Sequence, residues 1–160
     1  METMNAYLFP GLEFGPRIVE GLVSQIPGAR YDEKTNPSRF TLREAVAHLA
    51  DWEPILRDRI ALAVDSPDSP VQGVDEGARA EEQRYGTKDV AEQLRLFANE
   101  RQKTIAYLKG LSAEDWSKAV THNEKGRQTV ADQANQLLGH DLYHIDHLME
   151  FFHEKVSGTW

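Results

Sequence analysis

Helical periodicity is the feature of this sequence that most limits the folds open to it. Four long segments repeat apolar residues every three or four positions, and no segment shows convincing strand alternation. They run from about 10 to 26, 41 to 64, 87 to 109 and 129 to 155. Four helices of this length predict an all-α fold class and a four-helix bundle, formed by one domain over residues 1–160.

The second helix carries the clearest local signals. Thr41 and Glu44 have the spacing of a capping box, in which a hydroxyl caps the helix start and a glutamate reaches back to it. The helix should then bury one apolar stripe, formed by Ala45, Leu49, Trp52, Leu56, Ile60 and Ala63.

The connections between the helices differ in length. Residues 66–86 form a long polar connection between helices two and three, with a short helical turn expected around Glu76 to Glu82. The stretch from Thr121 to Arg127 is predicted to be a loop that turns at Gly126. Thr129 is the expected cap of the fourth helix.

Composition excludes several classes of function. The chain has 18 Lys and Arg against 26 Asp and Glu, a net charge of −8, which disfavours a nucleic-acid partner. It has no Cys, so a transition-metal site must use histidines and carboxylates. No apolar run reaches membrane-spanning length, and the first residues lack signal-peptide features, so we expect a cytoplasmic protein without a membrane partner.

Three histidines share one face of the fourth helix. With His140 set at 0°, His144 lies at about +40° and His147 at about −20° on a helix of 3.6 residues per turn. The same face carries the apolar residues Leu137 and Leu148. Imidazoles on an inward face need hydrogen-bond partners or a metal ion, and the spacing of His140 and His144 lets both reach one ion.

His48 is the natural third ligand, because it borders the apolar stripe of the second helix. With His140 and His144 it would form a three-histidine site with an open coordination position. The alternative is that these histidines are core residues that make hydrogen bonds.

Four other residues also need an interpretation. We expect His147 to hold a neighbouring ligand or a bound molecule by hydrogen bonding. Asp51 is a candidate general base or an acceptor supporting a ligand, or else a solvated helix carboxylate. Trp52 is a core residue or a wall of a pocket, and His122, in a polar stretch, is expected to be solvated.

At these residues the chain resembles the DinB/YfiT-like family of four-helix bundle proteins. The matching pieces are residues 42–53, which contain His48, residues 129–132, and residues 139–144. The resemblance implies a divalent ion, commonly zinc or nickel, bound by His48, His140 and His144 with water completing the shell. It also implies frequent homodimers and, for some members, thiol transfer with a bacterial low-molecular-weight thiol. The chain departs from the family at His147, where relatives often carry Gln.

Three classes of function follow as hypotheses. The first is a metal-dependent transferase that acts on a small electrophile through an external thiol, with metal-assisted hydrolysis as its nearest variant. The second is a non-catalytic metal-binding or stress-response bundle, in which the ion ties helices together. The third is a plain helical interaction domain.

Overall fold

A computed structural model describes residues 5–153 of the chain. Within these residues the fold has five α-helices and three short strands. The helices are α1 Leu8–Val23, α2 Leu42–Asp65, α3 Glu76–Glu82, α4 Val90–Lys109 and α5 Val130–Met149. The strands are β1 Pro70–Val71, β2 Ala119–His122 and β3 Gly126–Thr129.

The four long helices form the predicted bundle. Helix α2 packs against α4 and α5, and α1 packs against the same two helices. Helices α1 and α2 are consecutive in the sequence but therefore lie diagonally across the bundle. The same holds for α4 and α5. Because α2 and α5 are direct neighbours, side chains on their facing sides can meet in the interior.

The helix starts follow the expected chemistry. The Thr41 hydroxyl accepts a hydrogen bond from the Glu44 backbone N–H, and the Glu44 carboxylate accepts one from the Thr41 N–H, so the capping box is confirmed. Thr129 caps α5 in the same way with Asp132. The six residues of the predicted stripe on α2 are all buried. The short helix in the long connection is confirmed as α3.

The all-α prediction is only approximately right, because the three strands form a small sheet of order β1-β2-β3. Strand β1 runs parallel to β2, with Val71 beside His122, and β2 pairs antiparallel with β3. The predicted loop over residues 121–127 is therefore wrong: the turn spans residues 123–125, and Gly126, at φ 73°, follows it as the first residue of β3. Strands of two to four residues are too short to show alternation in the sequence.

The fourth long helix is shorter than predicted. Helix α5 ends at Met149, whereas the sequence predicted that it continues to residue 155. Residues 154 and 155 lie outside the described part of the chain. No helix of residues 5–153 is long and apolar enough to cross a membrane.

The apolar core has two large clusters separated by a polar layer, and a third, small cluster lies between α2 and the long connection. One large cluster contains Leu12 and Leu137, and the other contains Val19 and Leu148. Between them lies Arg101, which is fully buried and forms salt bridges with Glu53 at 2.7 Å and Asp141 at 2.6 Å. We call these three residues the ion cluster. It joins α2, α4 and α5, and Arg101 also donates to the Leu12 carbonyl of α1.

Candidate metal centre

Three imidazoles meet where α2 faces α5, in the polar layer of the bundle. His140 and His144 lie one turn apart on α5, and His48 reaches them from α2. Their ring centroids are 5.0 Å apart for His48 and His140, 4.9 Å for His48 and His144, and 4.8 Å for His140 and His144. These three residues, the histidine triad, thus form a nearly equilateral triangle of rings.

The nitrogen atoms of the triad are close enough to share one ion. One nitrogen from each ring can be chosen so that all three lie within 4.8 Å of one another. The Nε2 atoms of His48 and His140 are 2.9 Å apart. Tetrahedral zinc with Zn–N bonds of about 2.0–2.1 Å would place its ligand nitrogens roughly 3.4 Å apart. Small rotations of the rings would reach that separation.

The triad is electrically neutral at physiological pH. Burial lowers the pKa of His48 to about 3, with further repulsion from His140. Burial likewise lowers the pKa of His140 to about 4 and takes the pKa of His144 well below its ordinary value. Neutral rings present free lone pairs, which is the state a metal ion requires of imidazole.

The hydrogen bonding of the triad is incomplete. His48 Nδ1 and His144 Nδ1 are buried and have no hydrogen-bond partner. Buried imidazole nitrogens without partners are costly in a core whose only task is packing. Three neutral rings with convergent nitrogens, in a chain without thiolates, therefore fit a divalent ion that accepts nitrogen ligands.

His147 lies beside the triad but outside it. Its ring centroid is 6.4 Å from that of His144, and its nitrogens do not belong to the group that lies within 4.8 Å. The side chain is 1% exposed, and neither ring nitrogen makes a well-aligned hydrogen bond, although the Phe40 backbone lies close enough to raise the pKa of the ring against the effect of burial. The role expected of His147, which is to hold a neighbouring ligand or a bound molecule, stays a prediction.

Trp52 and Asp51 have different surroundings. The Trp52 ring packs 5.4 Å from that of His48, so it forms one wall beside the triad as well as part of the core. Asp51 accepts hydrogen bonds from Arg79 at 2.5 and 2.9 Å and from the Tyr85 hydroxyl at 2.6 Å. Burial alone would raise the pKa of Asp51, but these hydrogen bonds outweigh burial and lower it. A carboxylate engaged in this way is a poor general base, and it anchors the long connection to α2.

A cavity of about 290 Å³ opens onto the triad from the side of α3. His144 and His147 line its inner wall, Phe40 and Tyr143 supply aromatic surface, and Glu76 belongs to its rim. The Arg39 guanidinium stacks 4.6 Å from the centre of the Tyr143 ring and pairs with Asp146 and Glu150. A small molecule in this cavity would lie against one ring of the triad.

The expectation for His122 is wrong. It is 4% exposed, because pairing of β2 with β1 brings it beneath the long connection. Sequence reasoning also missed Gln133, which is buried with its Nε2 unpartnered. A signal did exist, since Gln133 precedes His140 by two helical turns and so lies on the same stripe.

Two solved structures share the fold of this chain. One is YfiT from Bacillus subtilis, described as "a probable metal-dependent hydrolase with an unusual four-helix bundle topology". It has a TM-score of 0.86 and 22% identity, covering 94% of this chain and 89% of that one. The other is the mycothiol-dependent maleylpyruvate isomerase, with a TM-score of 0.72 and 15% identity, covering 88% of this chain and 59% of that one. Both likenesses establish the fold.

Sequence comparison identifies relatives over most of the chain. A protein of Bacillus pumilus named "Putative metal-dependent hydrolase" is 24% identical over 139 residues, 84% of this chain and 77% of the relative. A protein of Oceanobacillus iheyensis with the same description is 22% identical over 140 residues, 88% of this chain and 81% of the relative. The family model of the DinB superfamily matches residues 12–148. The chain therefore belongs to the DinB superfamily.

Proposed function

We propose that this protein is a divalent-metal-dependent enzyme whose ion is held by His48, His140 and His144. The observation that carries this proposal is the convergence of three neutral imidazoles from two helices, two of them buried and that of His140 half-buried, with nitrogens within 4.8 Å of one another. A three-histidine set leaves a coordination position open, as in catalytic rather than closed structural sites. Zinc or nickel suits this donor set.

The residues around the triad have separate tasks in this proposal. A divalent ion bound there would supply Lewis acidity, lowering the pKa of a bound water or thiol. The cavity beside His144 admits a small substrate, and Phe40 and Tyr143 exclude water from its apolar part. His147 offers a buried donor and a buried acceptor to the bound molecule.

An external thiol is the nucleophile we favour, with a small electrophile as its acceptor. The chain has no Cys, so the sulfur of any thiol chemistry must come from a cosubstrate. The fold is shared with a mycothiol-dependent isomerase, which supports a thiol in this architecture. Water is the second candidate nucleophile, because the two curated relatives and YfiT are described as metal-dependent hydrolases.

Metal analysis of protein purified without an affinity tag tests the site. We expect about one divalent ion per chain, and a large loss of metal in His48→Ala, His140→Ala and His144→Ala. His153→Ala is the matched control, because His153 is exposed. Protein that retains no divalent ion, or a His48→Ala variant with full metal content, would refute the proposed centre.

Activity assays then separate the candidate reactions. Metal-loaded protein is incubated with a low-molecular-weight thiol and a model electrophile, and in parallel with an activated ester or amide. Thiol consumption above that of free metal supports transfer, whereas ester or amide cleavage alone supports hydrolysis. Metal retention without either reaction, with a large fall in melting temperature on chelation, would instead indicate a non-catalytic metal-binding bundle.

A further inference from the structure

Unpartnered polar atoms are concentrated on the facing sides of α2 and α5. In residues 5–153, six buried side-chain nitrogen atoms have no hydrogen-bond partner, and all six belong to these two helices. Four are on the triad and His147. The other two are Trp52 Nε1 and Gln133 Nε2, which neither the ion nor the cavity beside His144 accounts for.

These two donors lie on stripes that lead from the triad towards the sheet. Trp52 and Arg59 follow His48 by four and eleven residues, which places them within about 40° of it around α2. Gln133 lies two turns before His140 on α5. Arg59 donates from Nη2 to the Gln72 carbonyl next to β1, at 3.1 Å, and Gln133 lies one turn after β3. Both stripes therefore run towards the sheet, on two helices that pack against each other.

Arg59 is a cation without a carboxylate partner in the described part of the chain. Its Cζ lies 5.6 Å from the centre of the Trp52 ring, and its one hydrogen bond there goes to the Gln72 carbonyl. Burial lowers the pKa of Arg59. The other arginines of the polar interior are paired: Arg101 with Glu53 and Asp141, and Arg57 with Glu100.

His122 adds a further donor at the same end. Its Nδ1 accepts a hydrogen bond from the Glu124 backbone N–H at 3.1 Å, so the proton of the neutral ring resides on Nε2. Burial and the positive charges of Arg59 and Lys125 lower the pKa of His122, against a smaller opposing effect of Glu124. The Glu124 carboxylate is exposed and lies against Gly73.

We propose that Arg59, Trp52, Gln133 and His122, the donor cluster, bind a carboxylate group of the substrate beside the histidine triad. The inference rests on the proposed function and names the class of its substrate: small carboxylic acids. The cluster presents N–H donors and one half-buried cation, which together match an acceptor with a single negative charge. The planar guanidinium fits the two oxygens of a carboxylate. A phosphate dianion carries two negative charges, and the single positive charge of Arg59 would leave one of them uncompensated.

Indole N–H resonances give a direct test, because Trp52 is the one tryptophan in the donor cluster. Propionate is titrated into 15N-labelled protein, in the metal-loaded and chelator-treated forms, and Trp52→Phe assigns the signal. We expect a saturable shift of the Trp52 indole signal in both forms, with the other two tryptophans unchanged. Arg59→Gln should weaken the apparent affinity at least about tenfold.

Arg17→Gln is the matched control, because Arg17 also stacks on an aromatic ring, that of Phe14, but on α1. It should leave the titration unchanged. The inference is overturned if propionate shifts no indole signal, if Arg59→Gln binds as tightly as the parent, or if the shift needs bound metal. Stronger binding of inorganic phosphate would overturn the carboxylate assignment.

Metal content measured on the same samples separates this inference from the proposed function. Protein that binds one ion per chain but shows no propionate shift refutes the donor cluster alone. Protein that shows the shift but retains no ion refutes the proposed enzyme and leaves a carboxylate-binding bundle.

Discussion

Metal-free protein should lose stability steeply between pH 7.5 and pH 5, because desolvation holds the triad in its neutral form. In the unfolded chain each imidazole has a pKa near 6.5 and takes up a proton as the pH falls. In the folded protein burial holds the pKa of His48 at about 3 and that of His140 at about 4. The unfolded state therefore binds more protons over this range, and the free energy of unfolding falls with pH.

The size of the effect follows from these pKa values. At pH 5 the folded rings are still neutral, whereas the unfolded rings are almost fully protonated. Each of His48 and His140 then costs about 2 kcal/mol, or about 4 kcal/mol together. His144 acts in the same direction, since burial also lowers its pKa. A loss of this size is a large part of the roughly 5–15 kcal/mol that holds a domain folded.

Urea unfolding of chelator-treated protein at pH 7.5, 6 and 5 measures this loss. His140→Gln removes one imidazole and leaves the other titrating groups in place. Between pH 7.5 and pH 5 the free energy of unfolding of this variant should therefore fall by about 2 kcal/mol less than that of the parent. The exposed His153 provides the control His153→Gln, which should behave as the parent does. A parent that changes by less than about 1 kcal/mol, or a His140→Gln variant with the full loss, would refute a buried neutral triad.

Three further outcomes follow from the packing and the proposed metal centre. Gly15→Ala would drive a Cβ into Asp141 Oδ2, so it should lower the free energy of unfolding by roughly 1–3 kcal/mol. The same change at Gly21, where a Cβ meets nothing within 4 Å, should be neutral or stabilising in the same urea assay. Arg101→Met leaves two buried carboxylates unpaired and should cost about 3–5 kcal/mol by urea unfolding. Free zinc at a hundred times its Kd should raise the free energy of unfolding by about 3 kcal/mol, and a thermal shift that survives chelation would contradict this.

The helices and the triad could be predicted because their signals are local. The capping box at Thr41 and the apolar stripe of α2 lie within one segment, and the histidines of α5 share a face by spacing alone. His48 could be added because a histidine beside an apolar stripe faces the interior of a bundle. Each of these inferences needs only the sequence of one helix and its 3.6-residue period. None needs to know how the helices pack against one another.

The sheet and the ion cluster could not be predicted, since both depend on distant parts of the chain. His122 is buried because β2 pairs with β1, about fifty residues away in the sequence. Arg101 lies on the apolar stripe of α4, one turn after Phe97 and one turn before Ile105, so its inward direction had a local signal. Its partners had none, because Glu53 and Asp141 approach it from two other helices. A pattern within a single helix carries no information about such partners.

In the interior of the bundle, buried polar groups that have hydrogen-bond partners serve a different purpose from those that lack them. Arg101 uses every nitrogen of its guanidinium: Nε and Nη2 donate to Glu53, Nη2 and Nη1 to Asp141, and Nη1 also to the Leu12 carbonyl. Such a group holds helices together and has no capacity left for a ligand. In residues 5–153 the buried side-chain nitrogens that lack partners lie instead on α2 and α5, in the triad, in His147 and in the donor cluster. Since folding alone would select against such atoms, their position indicates where the protein binds something other than itself.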